Sequence, residues 1–193
     1  MKIGGDQMTT EFMRDLLSKD EKITVEYKTC QFGIQEDVYE TVCSFSNRYG
    51  GYIIMGAEDD GTPIGVKQNM VKDMKRNFVN QLNNPDKMSP TLYLSIEDFE
   101  YEGKVLLWVY VPPTATVEKC GNRIYDRNED GDMDITDSPI QLQNMYNRKS
   151  TTYAEHKIFP YVTKDDLRLD LMDKVRNLAK SKNPDHQWLT MSD

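Results

Sequence analysis

The sequence predicts an α+β fold, a mixed sheet with a central hairpin packed by several helices. Helical and strand patterns interleave along the chain instead of segregating, so helices have a sheet to pack against. Two strand patterns meet back to back at Glu102-Gly103, the signature of a hairpin. A length of 193 residues with 38% apolar side chains is enough for one self-sufficient core.

Each element has a local reason. Thr9 to Lys19 places Phe12, Met13, Leu16 and Leu17 on one helical side. Ile23 to Lys28 alternates apolar and polar and is rich in β-formers, so it reads as a strand. Glu36 to Arg48 carries Val38, Val42 and Phe45 at helical spacing and stops at Gly50-Gly51, where glycine accepts the left-handed cap. Tyr52 to Ala57 is a mostly apolar strand, closed by the turn Asp59-Asp60-Gly61. Gln68 to Leu82 is a helix with Met70, Met74, Phe78 and Leu82 inward and Lys72, Lys75 and Arg76 outward. Tyr93 to Tyr101 and Lys104 to Val111 form the hairpin, and Pro112-Pro113 ends it. Arg123 to Arg127 reads as a short strand and Pro139 to Arg148 as a helix. Thr163 to Ser181 is a helix with Thr163 and Asp166 as its cap and Leu167, Leu171, Val175 and Leu178 as its stripe.

The longest unbroken apolar run, Val105 to Val111, is far below the ~20 residues of a membrane span. No secretory leader is visible, and the three cysteines form neither a C-x-x-C pair nor an even framework. Cytoplasmic residence is the expectation. No Walker-type phosphate loop and no H-E-x-x-H motif occur, and His156 and His186 stand alone. The net charge of −8 excludes a uniformly basic nucleic-acid binder. Its distribution is uneven, since residues 126–137 alone carry six acids and one arginine.

Three stretches belong together. The first is Glu21-x4-Glu26-Tyr27-Lys28. The second is Ser44-x-x-Asn47-x-x-Gly50-Gly51, followed by a strand and Gly56-x-x-Asp59-Asp60-Gly61. The third is the apolar strand Val105 to Pro112, with Tyr125 and Arg127 downstream. Together they resemble the Schlafen AlbA-like DNA-binding domain, also called the divergent AAA-associated domain. Its pattern is E-x(4)-E-F-K, a helix ending A-x-x-N-x-x-G-G, and a strand ending G-x-x-D-D-G. Tyr27 stands for the usual Phe and Ser44 for the usual Ala. The resemblance covers residues 9–150. It implies a domain over residues 1–160, with residues 161–193 a helix and linker towards a downstream ATPase-like or winged-helix module.

The resemblance implies a nucleic-acid surface, DNA being the expected partner, built from Lys28, Arg48, Tyr49, Arg123, Tyr125, Arg127, Arg148 and Lys149. Arginine and lysine neutralise phosphates, and tyrosine stacks on unpaired bases. Lys72, Lys75 and Arg76 are further candidates, although a solvated helix face explains them as well. Eukaryotic relatives of the domain include metal-dependent RNA nucleases, so Glu21, Glu26 and Asp59 form an alternative catalytic trio for Mg²⁺. Gly50-Gly51 fits a helix cap better than a phosphate cradle, and Asn47 is open to either role.

One candidate is independent of the resemblance. Asp126, Asn128, Asp130, Asp132, Asp134 and Asp137 fall at positions 1, 3, 5, 7, 9 and 12 of an EF-hand-type loop, with Gly131 at position 6. Against Ca²⁺ stand Asp in place of the bidentate Glu, Met133 at the anchor position and a preceding strand. The expected function is therefore a nucleic-acid-binding module of a regulatory, ATPase-associated protein that requires no cofactor. A divalent-metal-dependent RNase and a protein-interaction or homodimerisation module are the alternatives.

Overall fold

The computed structural model describes residues 8–18, 23–150 and 172–182. The chain divides into two compact units, residues 6–152 and residues 1–5 with 153–193. In the second, the described element is helix α5 (Met172–Lys182). The predicted caps Thr163 and Asp166, and the boundary placed at residue 160, lie outside the described residues.

The first unit is built on a four-stranded sheet of order β1-β2-β5-β4. Strands β1 (Val25–Lys28) and β2 (Gly51–Met55) are parallel, so a crossover must join them, and helix α2 (Glu36–Asn47) supplies it. Strand β5 (Lys104–Val111) runs antiparallel to both β2 and β4 (Ile96–Tyr101). Glu102 and Gly103 join β4 to β5 at φ +51° and +74°, the left-handed pair that a two-residue turn between twisted strands requires.

Alternation along the strands produces two apolar faces. Ile53, Met55, Leu107 and Val109 meet Val38, Val42 and Phe45 of α2 and Met74, Phe78 and Leu82 of α3 (Val71–Leu82). Tyr27, Ile54 and Leu106 meet Met13, Leu16 and Leu17 of α1 (Thr10–Leu17). Thr9 caps α1 by accepting the Phe12 N–H at 3.1 Å, and the Tyr27 hydroxyl donates to the Leu16 carbonyl at 2.5 Å. A smaller cluster of Ile124, Ile135 and Met145 ties α4 (Pro139–Ser150) to the hairpin of β7 (Tyr125–Asn128) and β8 (Gly131–Asp134).

The differences from expectation are local. Strand β4 begins at Ile96, leaving Tyr93 before the ladder, and α4 continues through Lys149 to Ser150. The short pair β3 (Met88–Ser89) and β6 (Lys119–Cys120) has too few residues to leave a periodic signal. Residues 126–137, read as an EF-hand-type loop, contain β7, β8 and their turn.

Candidate nucleic-acid interface

The sequence-predicted residues gather where β1, the end of α2, the β7–β8 hairpin and α4 meet. Arg127 is at the centre and is 3% exposed. Its guanidinium binds the Glu26 carboxylate on one side and Asp132 at 2.6 Å on the other, and lies over the Phe45 ring at 4.7 Å. Asp132 also accepts the hydroxyls of Ser44 and, at 2.5 Å, Thr41. One buried network thus joins β1, α2, β7 and β8. Lys28 joins Glu26 at 2.8 Å to Asp37 at 2.9 Å. Burial works against the Lys28 charge, but the hydrogen bonds to the two carboxylates outweigh it and hold the ammonium above its usual range.

A second, outer layer faces solvent. Asp126 accepts Arg148 at 3.0 Å and Arg48 at 3.5 Å, two guanidinium groups on one carboxylate. Arg148 also donates to the Asn47 carbonyl at 3.1 Å. Arg48 lies 5.0 Å from the ring centre of Tyr49, whose side chain is largely exposed. Arg48 and Arg148 border a cleft of about 220 Å³, with Asn128, Gln141 and Asn144 as its polar lining.

Three of the predicted phosphate- and base-binding residues are buried. Arg127 is 3% exposed and ion-paired with Glu26 and Asp132, and it borders the floor of the Arg48–Arg148 cleft. Tyr125 is buried, and its hydroxyl donates to Glu40 at 2.8 Å. Burial and that hydrogen bond push the phenol up to about 12, and the ring has no free face for a base. Lys149 is buried, its ammonium donating to the carbonyls of Ser46 (3.0 Å), Thr114 (3.0 Å) and Thr116 (2.5 Å) and to the Thr114 hydroxyl (3.2 Å). Arg123 is exposed and is 3.2 Å from Asp134.

The residues of the expected Ca²⁺ loop lie on and around a β-hairpin. In the ladder Asp126 is paired with Met133 and Asp132 with Arg127, so Asp126 and Asn128 leave one face of the hairpin and Asp132 and Asp134 the other. Asp126 goes to Arg48 and Arg148, Asp132 to Arg127, and Asp134 to Thr136 and Arg123. Asn128 accepts the Asp130 N–H at 2.9 Å, an Asx turn at the hairpin tip. Asp137 lies beyond β8 and is exposed. Of the carboxylate trio, Glu26 and Asp59 line one cleft of about 270 Å³. Glu21 lies outside the described residues. The cleft fits a divalent ion poorly, because Lys28 and Arg127 already hold Glu26. Among the described residues no three His, Cys, Asp or Glu side chains are grouped to hold a metal.

Two structural positions carry weight that the sequence reading did not assign. Asn47, buried at the end of α2, donates to the carbonyls of Glu118 and Tyr125 at 2.9 Å each and accepts the Glu118 N–H at 2.8 Å. The signal for it is the polar series Thr41, Ser44, Asn47, spaced by three on a helix and interleaved with Val42, Cys43 and Phe45, and all three side chains are buried. Glu118 is 1% exposed, burial pushes its carboxyl above the usual range, and Oε2 has no hydrogen-bond partner. No sequence pattern marks it.

Among the motif residues, Glu26 is ion-paired with Arg127, and Asn47 donates to the carbonyl of Tyr125, two residues before that arginine. The chain belongs to the Schlafen AlbA_2 family, whose model matches residues 10–136. Among solved structures it is similar to the N-terminal domain of an ATP-dependent DNA helicase RecG-related protein from Nitrosomonas europaea. That match has 27% identity over 54% of this chain and 72% of that one, with a TM-score of 0.44. It is also similar to the DIP2311 protein from Corynebacterium diphtheriae, at 16% identity and a TM-score of 0.51. The second match covers 98% of this chain but only 37% of that protein, and shows likeness of fold alone. No curated protein matches the chain by sequence. Among the described residues no helix is long and apolar enough to cross a membrane.

Proposed function

We propose that the chain is a nucleic-acid-binding module, DNA being its expected target, within a larger regulatory protein associated with an ATPase. The carrying observation is the pair Arg48 and Arg148 sharing the single carboxylate of Asp126 beside exposed Tyr49. Two guanidinium groups meet one acid there, and the bordering cleft adds the amide side chains of Asn128, Gln141 and Asn144. Membership of the family supports the same reading. Binding through such groups is electrostatic and weakens with salt. Retention on single- and double-stranded DNA and RNA at about 50 mM salt is the direct test. Substituting Arg48→Gln and Arg148→Gln together lowers the slope of log K against log salt by about 0.9 for each duplex-DNA phosphate that is no longer neutralised. A parent chain that binds none of these polymers overturns the proposal, and the interaction-module reading then takes its place.

A metal-dependent RNase is the second reading, favoured by Glu26 and Asp59 lining one cleft. The ammonium of Lys28 and the guanidinium of Arg127 weigh against it, since a metal would have to displace them. RNA cleavage that needs Mg²⁺ or Mn²⁺ and is lost in Glu26→Gln would restore that reading. Equal cleavage by parent and variant excludes Glu26 as the ligand.

A further inference from the structure

We propose that the outer side of α3 is a track for single-stranded nucleic acid that ends on the ring of Tyr93. The inference rests on the nucleic-acid reading above and assigns it a second surface.

A cleft of about 430 Å³ separates α3 from the extended segment 93–96 that leads into β4. Its apolar lining is Val79, Leu94 and Ile96, and its polar lining includes Lys75, Arg76 and Asn80. A neighbouring cleft of about 410 Å³ is lined by Lys72 and Lys75, so Lys75 belongs to both. Lys72 and Arg76 are four residues apart, about 6 Å along the helix axis. None of these residues lines the Arg48–Arg148 cleft.

Tyr93 borders the first cleft with 90% of its surface exposed. It precedes the ladder, because β4 starts at Ile96, and it is anchored by its neighbour, the Leu92 N–H donating to the Leu82 carbonyl at 3.1 Å. An exposed aromatic face beside cations suits an unpaired base and its phosphate. The ion pairs of the track are solvent-facing: Lys75 with Asp98 at 2.6 Å and Arg76 with Asp73 at 2.8 Å. Such pairs are worth little, so a phosphate can replace the carboxylate at small cost. A duplex keeps its bases stacked on one another and has none to offer Tyr93.

The test uses the full chain and fluorescence anisotropy with three probes: a labelled oligothymidylate, a duplex of the same length and a peptide rich in Asp and Glu. With Tyr93→Ala, binding of the single strand weakens about tenfold, as expected for one stacked base removed, while the duplex is unaffected. Tyr93→Phe keeps the parental affinity. Arg76→Gln lowers the salt slope for the single strand by about 0.7. Unchanged single-strand affinity in Tyr93→Ala, with binding lost only in the Arg48 and Arg148 variants, overturns this inference and leaves the nucleic-acid reading standing. Peptide binding as tight as the oligothymidylate and equally sensitive to Tyr93→Ala makes the cleft an acidic-peptide site and also overturns it. A parent that binds neither nucleic acid removes both readings together.

Discussion

Lys149 shows how a residue that looks like a phosphate ligand becomes part of the interior. Its ammonium sits among three backbone carbonyls and a hydroxyl, and burial pushes it down to about 8 from an ordinary 10.5. Below pH 8 the group is charged in both folded and unfolded chains, and the whole cost of burying that charge is present. Between about 8 and 10.5 the unfolded chain binds more protons than the folded one, so this group's contribution to stability rises with pH. Urea unfolding of the parent and of Lys149→Met across this range isolates the effect, because other titrations cancel in the difference. The difference is expected to move in favour of the parent as pH increases. A flat difference would mean that the four oxygens hold the charge as firmly as water does. Arg127 obeys the same logic with a different outcome: it keeps its charge because Asp132 and Glu26 offset its burial. Removing it would leave those carboxylates in a site built for a cation.

At the scale of elements, the α2–β2 connection fixes where the interface lies. Gly50 has φ +73°, and its N–H donates to the Phe45 carbonyl at 2.9 Å. A Cβ there would come within 2.6 Å of the Val111 carbonyl oxygen, so the glycine is required by conformation and by space. Gly50→Ala is expected to destabilise the fold by about 2–4 kcal/mol in chemical denaturation. This settles the sequence ambiguity at Gly50-Gly51 in favour of a structural turn, which places Arg48 and Tyr49 at the end of the sheet. The β7–β8 hairpin is the opposite case. Its D-x-N-x-D-G spacing suits a cation loop, yet the same alternation is that of a strand, and pairing across the ladder separates the acids.

For the whole molecule, a net charge of −8 is compatible with binding a polyanion because the acids are concentrated and largely occupied. Asp126 of the acidic segment is held by Arg48 and Arg148, and Asp132 by Arg127. Two of the surfaces that carry cations are the end of α2, with Arg48 and Arg148, and the outer side of α3, with Lys72, Lys75 and Arg76. Salt dependence is therefore the diagnostic at this scale: a slope near zero would contradict both surfaces, whatever the affinity.

The main elements of the first unit were legible because each depends on local chemistry: helical stripes, alternating strands, a Glu-Gly turn and a glycine cap. The family was legible because its motif residues keep their spacing. Placement of charge was not. Arg48 and Arg127 are equally basic in sequence, but one lies against an exposed tyrosine and the other, itself buried, bridges the carboxylates of Glu26 and Asp132. By itself the sequence determined the α+β class, the order of its elements and the family. Only the tertiary structure decided which charges face solvent. The packing of β1, α2, the β7–β8 hairpin and α4 brings Glu26, Asp126, Asp132 and the arginines together from distant positions, and burial retains a charge only where its opposite is within reach.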